Sequence, residues 1–187
     1  QTEWIYEADG VTPWDASKAT ADGEYYRYNA AGEVLQINHI GTENVLATDA
    51  IEIQYTANVP LAGVKYTVTK SDFNALLDHY YYGYEKGDER EFHSFNLSVN
   101  MSAVFDPYTF SWHSDKCGTW ENACQLADDE LDELIMNLRS VDPGDNDAFI
   151  DAWIAYEVRW QELMPNIPLF SNEFFYLARN EVKGLTV

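Results

Sequence analysis

Basic residues are scarce in this chain of 187 residues, where 11 Lys and Arg stand against 32 Asp and Glu and give a formal net charge of −21 at pH 7. A surface of this charge repels phosphate backbones and anionic bilayers, so we expect neither nucleic acid nor a membrane surface as partner. No apolar run of about 18 residues is present, which argues against a membrane-spanning helix. Residues 1–10 lack the basic and apolar regions of a signal peptide, so we expect that a signal has been removed or that this is an internal piece of a longer chain.

The common signatures of catalysis are also missing. The chain has no G-x-S-x-G elbow, no P-loop, no G-x-G-x-x-G and no H-E-x-x-H. The histidines are scattered without metal-ligand spacing, and the 32 acidic residues offer too many carboxylate pairs for any one to indicate glycoside hydrolysis. We therefore predict no enzyme, no metal site and no cofactor.

Cysteine occurs only twice, as Cys117 and Cys124 in the segment CGTWENAC. A disulfide across this short loop would stabilise the fold by about 2 kcal/mol in an oxidising compartment. Two free thiols are one alternative, and a metal site is the other. Zinc would need two further ligands, of which His113 is the only nearby candidate. We predict a disulfide between Cys117 and Cys124.

What the chain does contain is typical of one globular domain, with 46% hydrophobic and 15% aromatic residues. Strands are predicted over residues 33–40, over residues 64–69, and along the alternating apolar residues Phe95, Leu97, Val99 and Met101. A helix is predicted over residues 44–59, with one apolar face made by Leu46, Ala50, Ile53 and Ala57. The alternation of strands and helices predicts a parallel or mixed α/β sheet.

Three more helices are predicted. Asp72 caps the first, whose core face comprises Phe73, Leu76, Leu77, Tyr80, Tyr81 and Tyr84. The second carries Leu131, Leu134, Ile135 and Leu138. A cap at residues 145–147 begins the third, which ends at Met164-Pro165 and has an aromatic stripe of Phe149, Trp153, Tyr156, Trp160 and Leu163. The aromatic loop before the second of them, over residues 102–127, is long enough to suggest a functional or disulfide-tethered segment.

Several segments in this order resemble the C-terminal half of the solute-binding proteins of the oligopeptide, dipeptide and nickel ABC importer family. They are AIEIQYTANVPLAGVKYTV, FDPYTF, DDELDELIMNLRSV and YEVRWQELMPNIPLFSNEFFYLARNEVKGL. The resemblance covers residues 24–187. It implies an α/β lobe of a two-lobed periplasmic-binding-protein-like fold, with a mixed sheet flanked by helices and with residues 1–187 forming that lobe. Residues 165–187 would be the crossover strand segment toward a first lobe that this chain does not contain.

The same resemblance implies a function. The full-length parent would be an extracytoplasmic monomer, periplasmic or a bacterial cell-surface lipoprotein, that closes on a peptide or similar small solute and docks on a membrane permease. Ligands bind where strands of open α/β sheets end, so the candidate ligand-binding residues follow the third strand. They are Asn100, Ser102, Ala103, Phe105, Asp106, Tyr108 and Trp112. Asp106 before Pro107 also suits a plain turn, and the three aromatic residues also suit loop packing.

Two positions depart from the family's pattern. Peptide-binding members usually carry an aspartate three positions before the Asp-Pro or Glu-Pro pair, where it holds the peptide's ammonium group, and this chain has Ala103 there. Asn100 stands where a tryptophan is common. A buried ammonium needs a counter-charge. Either another carboxylate supplies it, for which Asp106 is the nearest candidate, or the ligand is a sugar, a blocked peptide or another solute without a free amino group.

Two other classes of function compete with transport. Abundant Trp and Tyr in an acidic chain also suit a secreted carbohydrate-binding or carbohydrate-active domain, since aromatic faces stack on sugars. The absence of catalytic motifs suits a structural adaptor with the aromatic loop as its protein-binding patch.

Overall fold

The computed structural model describes residues 3–98, 106–108 and 112–171, and its centre is a small parallel sheet. Three strands lie in the order β2–β1–β3: Gln36–Thr42 (β1), Lys65–Ser71 (β2) and Ser94–Phe95 (β3). The α-helices are Leu46–Asn58 (α1), Phe73–Tyr82 (α2), Asp129–Arg139 (α3) and Asn146–Leu163 (α4). Short 3-10 helices occupy Ala16–Lys18, Val59–Ala62, Gly83–Glu89 and Ser114–Lys116. The predicted α/β class, a small sheet flanked by helices, is confirmed.

Strand β1 is the central strand of the sheet. It pairs in parallel with β2 along its whole length, from Gln36 opposite Lys65 to Thr42 opposite Ser71, and with β3 through His39 and Ile40. The described strands are therefore all parallel, and the antiparallel pairs expected of a mixed sheet are isolated bridges such as Tyr6 with Tyr28. The first two predicted strands are confirmed within two to three residues at each end.

Helix α1 forms where it was predicted but buries a different face. Thr48 and Ile51 are its buried residues, whereas Leu46 is 86% exposed and Ile53 is 64% exposed. The predicted face is wrong because it counted only apolar residues, and the face that packs on the sheet includes a threonine.

Helix α2 confirms its predicted cap and most of its predicted face. The side chain of Asp72 accepts from Asn74 N and Ala75 N. Leu76 is fully buried in a cluster with Ile40 and Phe92, whereas Phe73 is 52% exposed. The apolar core of the sheet thus lies on the α2 side.

The N-terminal segment, residues 3–35, packs against Gly63, just before β2. The guanidinium of Arg27 lies 4.3 Å from the centre of the Trp14 ring, and Arg27 N donates to Gly63 O at 2.7 Å. A Cβ at Gly63, which has φ 75°, would lie 2.6 Å from Arg27 Cγ and 2.7 Å from the Trp14 ring. Glycine is required there for both the backbone angle and the close approach.

Helices α3 and α4 form a second packed unit. Their buried residues Leu131, Ile135 and Tyr156 are surrounded by partly buried neighbours: Tyr108, Trp112, Leu126, Leu134, Trp153, Trp160 and Leu163. Asp145 caps α4 as predicted, and Met164 ends it in the left-handed conformation. Within the described residues no helix is long and apolar enough to cross a membrane.

Two predictions concern residues that the structure describes only in part. The third strand is predicted through Phe95, Leu97, Val99 and Met101, but β3 ends at Phe95, and positions 99 and 101 lie outside the described residues. The crossover strand predicted over 165–187 has no strand at 165–171, and the rest lies outside the described residues.

Candidate functional site

The carboxyl ends of the three parallel strands meet at one edge of the sheet, where ligands of open α/β sheets bind. The chain leaves β3 at this edge, and helix α1 begins there after β1. The predicted ligand-binding residues all follow β3 in the sequence. This edge, together with the turn at residues 106–108, is the candidate site.

A buried polar network fixes the point where the chain leaves β3. His39 on β1 is 2% exposed, and Thr48 in the first turn of α1 is 0% exposed. Asn96 lies between them, with its Oδ1 2.9 Å from His39 Nε2 and its Nδ2 donating to Thr48 Oγ1 at 3.1 Å. Ser94 Oγ lies 2.8 Å from the other nitrogen of His39.

The network sets the tautomer of the neutral His39 ring. An amide oxygen only accepts, so Nε2 carries the proton that it donates to Asn96, and Nδ1 of the neutral ring accepts from the Ser94 hydroxyl. Burial lowers the pKa of His39, while the hydrogen bond to Asn96 acts in the opposite direction. The imidazole is therefore neutral at pH 7.

Asp106 starts the turn expected of an Asp-Pro pair. Its Oδ1 accepts from Tyr108 N at 3.1 Å, and its Oδ2 lies 3.6 Å from Arg139 Nε on α3. Asp106 and Arg139 line a surface depression of about 160 Å³ with Pro107, Leu138 and Phe149. The depression combines an ion pair with an apolar wall.

Tyr108 is held by charged neighbours. The guanidinium of Arg139 lies 4.4 Å from the ring centre and Lys116 Nζ lies 5.1 Å from it. The hydroxyl donates to Asp115 Oδ2 at 2.8 Å, and this hydrogen bond, with burial, raises the pKa of Tyr108. In a chain of net charge −21, two cations and a histidine (His113, 5.2 Å between ring centres) gather around one tyrosine.

Trp112 packs into the core between α3 and α4, which together form a helical hairpin (residues 129–163). Its ring meets Trp160 edge-on at 5.8 Å, and its backbone nitrogen donates to Pro107 O at 3.2 Å. Trp112 and Tyr108 thus make the loop-packing contacts that were the alternative to ligand contact, and Asp106 makes the turn. The structure brings these three candidates together against α3 and α4.

The other four candidates, Asn100, Ser102, Ala103 and Phe105, lie outside the described residues. Sequence reasoning did not select Arg139, His39 or Asn96. No sequence signal singles out Asn96 or His39, because their partners lie 48 to 57 positions away. For Arg139 the signal was available, since it is a rare cation in the last turn of a predicted helix.

The predicted disulfide is wrong in this structure, where both cysteines are free. The thiol of Cys117 donates to Leu126 O at 3.3 Å and lies 3.4 Å from Asn122 Nδ2. Cys124 is exposed and lies near Tyr80 on α2, whose pKa is raised to about 12 by burial and, to a smaller extent, by Cys124. The two sulfurs face different neighbours, which is why the short spacing does not produce a bond.

An asparagine organises the loop instead of a disulfide. Asn122 is fully buried; its Nδ2 donates to Leu126 O at 2.8 Å and its Oδ1 accepts from Leu126 N at 3.1 Å. Gln125 Oε1 accepts from Gly118 N at 2.6 Å. Within the described part of the chain, no group of three or more His, Cys, Asp or Glu could hold a metal ion.

Several solved structures are similar to this chain in fold. The oligopeptide-binding protein AppA from Bacillus subtilis, in complex with a nonapeptide, aligns with a TM-score of 0.64 and 14% identity over 77% of this chain and 27% of its own. NikZ from Campylobacter jejuni, in complex with Ni(L-His), aligns with a TM-score of 0.57 and 13% identity over 80% of this chain and 29% of its own. The oligopeptide-binding protein of Thermus thermophilus, complexed with a pentapeptide, aligns with a TM-score of 0.53 and 16% identity over 78% of this chain and 24% of its own.

No family model matches the chain, and no curated protein sequence matches it. The chain spans between 24% and 29% of the length of these three solved structures. At these identities the likeness concerns the fold. It confirms the α/β fold that the sequence resemblance implied, which these larger proteins share over part of their length.

Proposed function

We propose that this chain is part of the substrate-binding component of an ABC importer, which captures a peptide or similar small solute outside the membrane and delivers it to a permease. The observation that carries the proposal is the shared fold with AppA, a protein solved with a bound nonapeptide. Because the chain spans 27% of that protein, a longer parent would supply the other lobe.

The action proposed is binding without covalent chemistry. A ligand held between two lobes stabilises the closed form by its greater affinity for that form. In this chain the proposed ligand contacts come from the carboxyl edge of the sheet and from Asp106, which lines a depression with Arg139. We extend the proposal to the seven candidate residues that follow β3, with Tyr108 and Trp112 as support rather than as primary contacts.

Calorimetry with one defined peptide, a nonapeptide, tests the division between two lobes. One wall of a cleft supplies few buried contacts, so the isolated chain should bind at about millimolar or weaker, whereas the full-length parent binds at about micromolar or tighter. A micromolar constant for the isolated chain would refute the one-lobe proposal, and a parent that binds no peptide would refute peptide capture.

Thermal shifts of the parent with matched free and N-acetylated peptides test the ligand's charge. If Asp106 is the counter-charge, acetylation and Asp106→Asn should each abolish the shift. If the ligand has no free amino group, both peptides behave alike. A strong shift that acetylation abolishes and Asp106→Asn leaves intact would show that another carboxylate binds the amine and that our placement of this loop is wrong.

Carbohydrate binding is the second candidate, and one observation favours it. Trp120 is 54% exposed and its ring meets Tyr81 edge-on at 5.8 Å, so an aromatic face is open to solvent beside α2. Titration of the isolated chain with cellohexaose, followed by tryptophan fluorescence, tests it. A saturable change that Trp120→Ala removes would favour carbohydrate binding.

A further inference from the structure

The strand β3 is too short to hold the chain by backbone pairing alone. It pairs with β1 at two positions, His39 with Ser94 and Ile40 with Phe95. Immediately after it, the side chain of Asn96 bridges β1 and α1 through His39 and Thr48. The hydrogen bonds of one side chain thus take over where the hydrogen bonds of the sheet stop.

Gly41 makes room for this bridge. A Cβ at Gly41 would lie 2.3 Å from Asn96 Oδ1 and 2.5 Å from Thr48 Cγ2. Both distances are too short for real atoms, and Thr48 is fully buried and therefore has no free space to move into. A glycine at position 41 of β1 is therefore required for Asn96 to reach α1.

The entry to β3 has its own asparagine. Asn38 on β1 donates from Nδ2 to Glu91 O at 3.0 Å, and its backbone oxygen accepts from His93 N at 2.9 Å. Asn38 therefore holds the chain before β3, whereas Asn96 holds it after β3. The two asparagines are matched in type and act on opposite ends of the same strand.

We propose that Asn96, bridging His39 and Thr48 across Gly41, is a positioning residue that fixes where the chain leaves the sheet at the ligand-binding edge. The proposal rests on the proposed function for its effect on ligand affinity, but the bridge itself does not. In this proposal Asn96 acts by holding residues 96–98 against β1 and α1, and not as a ligand contact.

Hydrogen exchange on the 187-residue chain tests the bridge without a ligand. Asn96→Ala removes both hydrogen bonds, so exchange in the fragment covering residues 96–98 should accelerate about tenfold or more. Asn38→Ala is the matched control and should accelerate exchange before β3, at residues 90–95, instead. If the two variants give the same pattern, Asn96 has no separate positioning role and the proposal fails.

Nuclear magnetic resonance of the imidazole tests the contact between Asn96 and His39. The imidazole signals of the wild type should show the Nε2–H tautomer in the nitrogen spectrum. Asn96→Asp places a carboxylate against this nitrogen and should raise the pKa of His39, because an opposite charge nearby favours the protonated ring. Asn38→Asp should do so much less. An unchanged His39 titration in Asn96→Asp would overturn the assigned contact.

Binding by the full-length parent then tests the positioning role. Asn96→Ala should weaken the affinity for the nonapeptide by about tenfold, as expected for one lost buried hydrogen-bond pair that positions the site, while Asn38→Ala changes it much less. Gly41→Ala should reproduce the loss. Equal affinity in wild type and Asn96→Ala would refute positioning. A wild-type parent that binds no peptide would refute the proposed function, while the exchange result would still decide on the bridge.

Discussion

The sheet unit (residues 36–98) and the helical hairpin (residues 129–163) bury different chemistry. The hairpin buries Leu131, Ile135 and Tyr156 inside a ring of aromatic side chains. The sheet unit has a small apolar core on its α2 side, and on its α1 side it buries His39 and Thr48, which Asn96 joins through hydrogen bonds. The free energy gained by burying apolar side chains is roughly proportional to the buried area and tolerates small shifts. A hydrogen bond, by contrast, needs a narrow range of distance and angle. The difference indicates that the hairpin supplies stability and that the sheet unit supplies position.

The largest expected effect tests packing in the hairpin. Ile135 is fully buried, so Ile135→Ala should lower the free energy of unfolding by about 3 kcal/mol through lost burial and a cavity. The next residue on α3, Met136, is 46% exposed and serves as control, since Met136→Ala should change stability by about 0.5 kcal/mol or less. Urea unfolding measures both, and similar losses for the two variants would contradict the assignment of the hairpin core.

A smaller loss is expected from the ion pair that joins the two hairpin helices. Asp128 caps α3 by accepting a hydrogen bond from Leu131 N. It also accepts hydrogen bonds from Arg159, from Nε at 3.0 Å and from Nη2 at 2.7 Å. Asp128→Ala removes the cap and leaves the arginine to Glu130 and Glu162, so we expect a loss of about 2 kcal/mol.

Glu130→Ala is the matched control for this pair. Glu130 also lies near Arg159, at 3.3 Å, but it is 66% exposed and caps no helix. Its removal should cost about 0.5 kcal/mol or less in urea unfolding. An equal loss for both variants would mean that the cap at Asp128 contributes nothing.

The same division explains what the sequence predicts and what it does not. The apolar residues of α3 and the cap of α4 were predicted because apolar spacing and an acidic cap are local signals, as at Leu131 and Asp145. The buried face of α1 was predicted wrongly because its key residue is Thr48, whose partner Asn96 is 48 positions away. Of the candidate site, the turn at Asp106 followed from its local sequence, whereas Arg139 and the Asn96 bridge depend on contacts that only the fold creates.

Acid should weaken the sheet unit in a pH range where the hairpin is unaffected. Burial holds the pKa of His39 below its ordinary value of 6.5, so the unfolded chain binds a proton more readily than the folded chain. Stability contributed by the neutral ring is therefore full above pH 6.5 and declines as the pH falls below it. The pKa of Asp128 is lowered from 3.8 by Arg159, so its contribution is lost only at more acid pH.

Urea unfolding between about pH 7.5 and 5 measures this decline. His39→Gln, which keeps a donor but cannot titrate, should flatten the curve in this range. His93 is a useful comparison because burial and then Arg90 lower its pKa as well, so His93→Gln should remove a separate part of the slope. A slope that neither variant changes would contradict the assignment of the pH effect to these histidines.

The smallest effect on stability is expected at the loop that joins the two regions. Cys117 faces Leu126 and Asn122 on the hairpin side, whereas Cys124 is exposed near Tyr80 of the sheet unit. Mass spectrometry of the native, non-reduced chain should therefore find two alkylatable thiols. Burial raises the pKa of both thiols, so both should react slowly, because the thiolate is the nucleophile. Cys124→Ala should leave stability nearly unchanged, whereas Cys117→Ala should cost about 1 kcal/mol because it removes the donor to Leu126 O. A chain that takes up no label until it is reduced would restore the disulfide and require the loop to be held differently from the Asn122 arrangement.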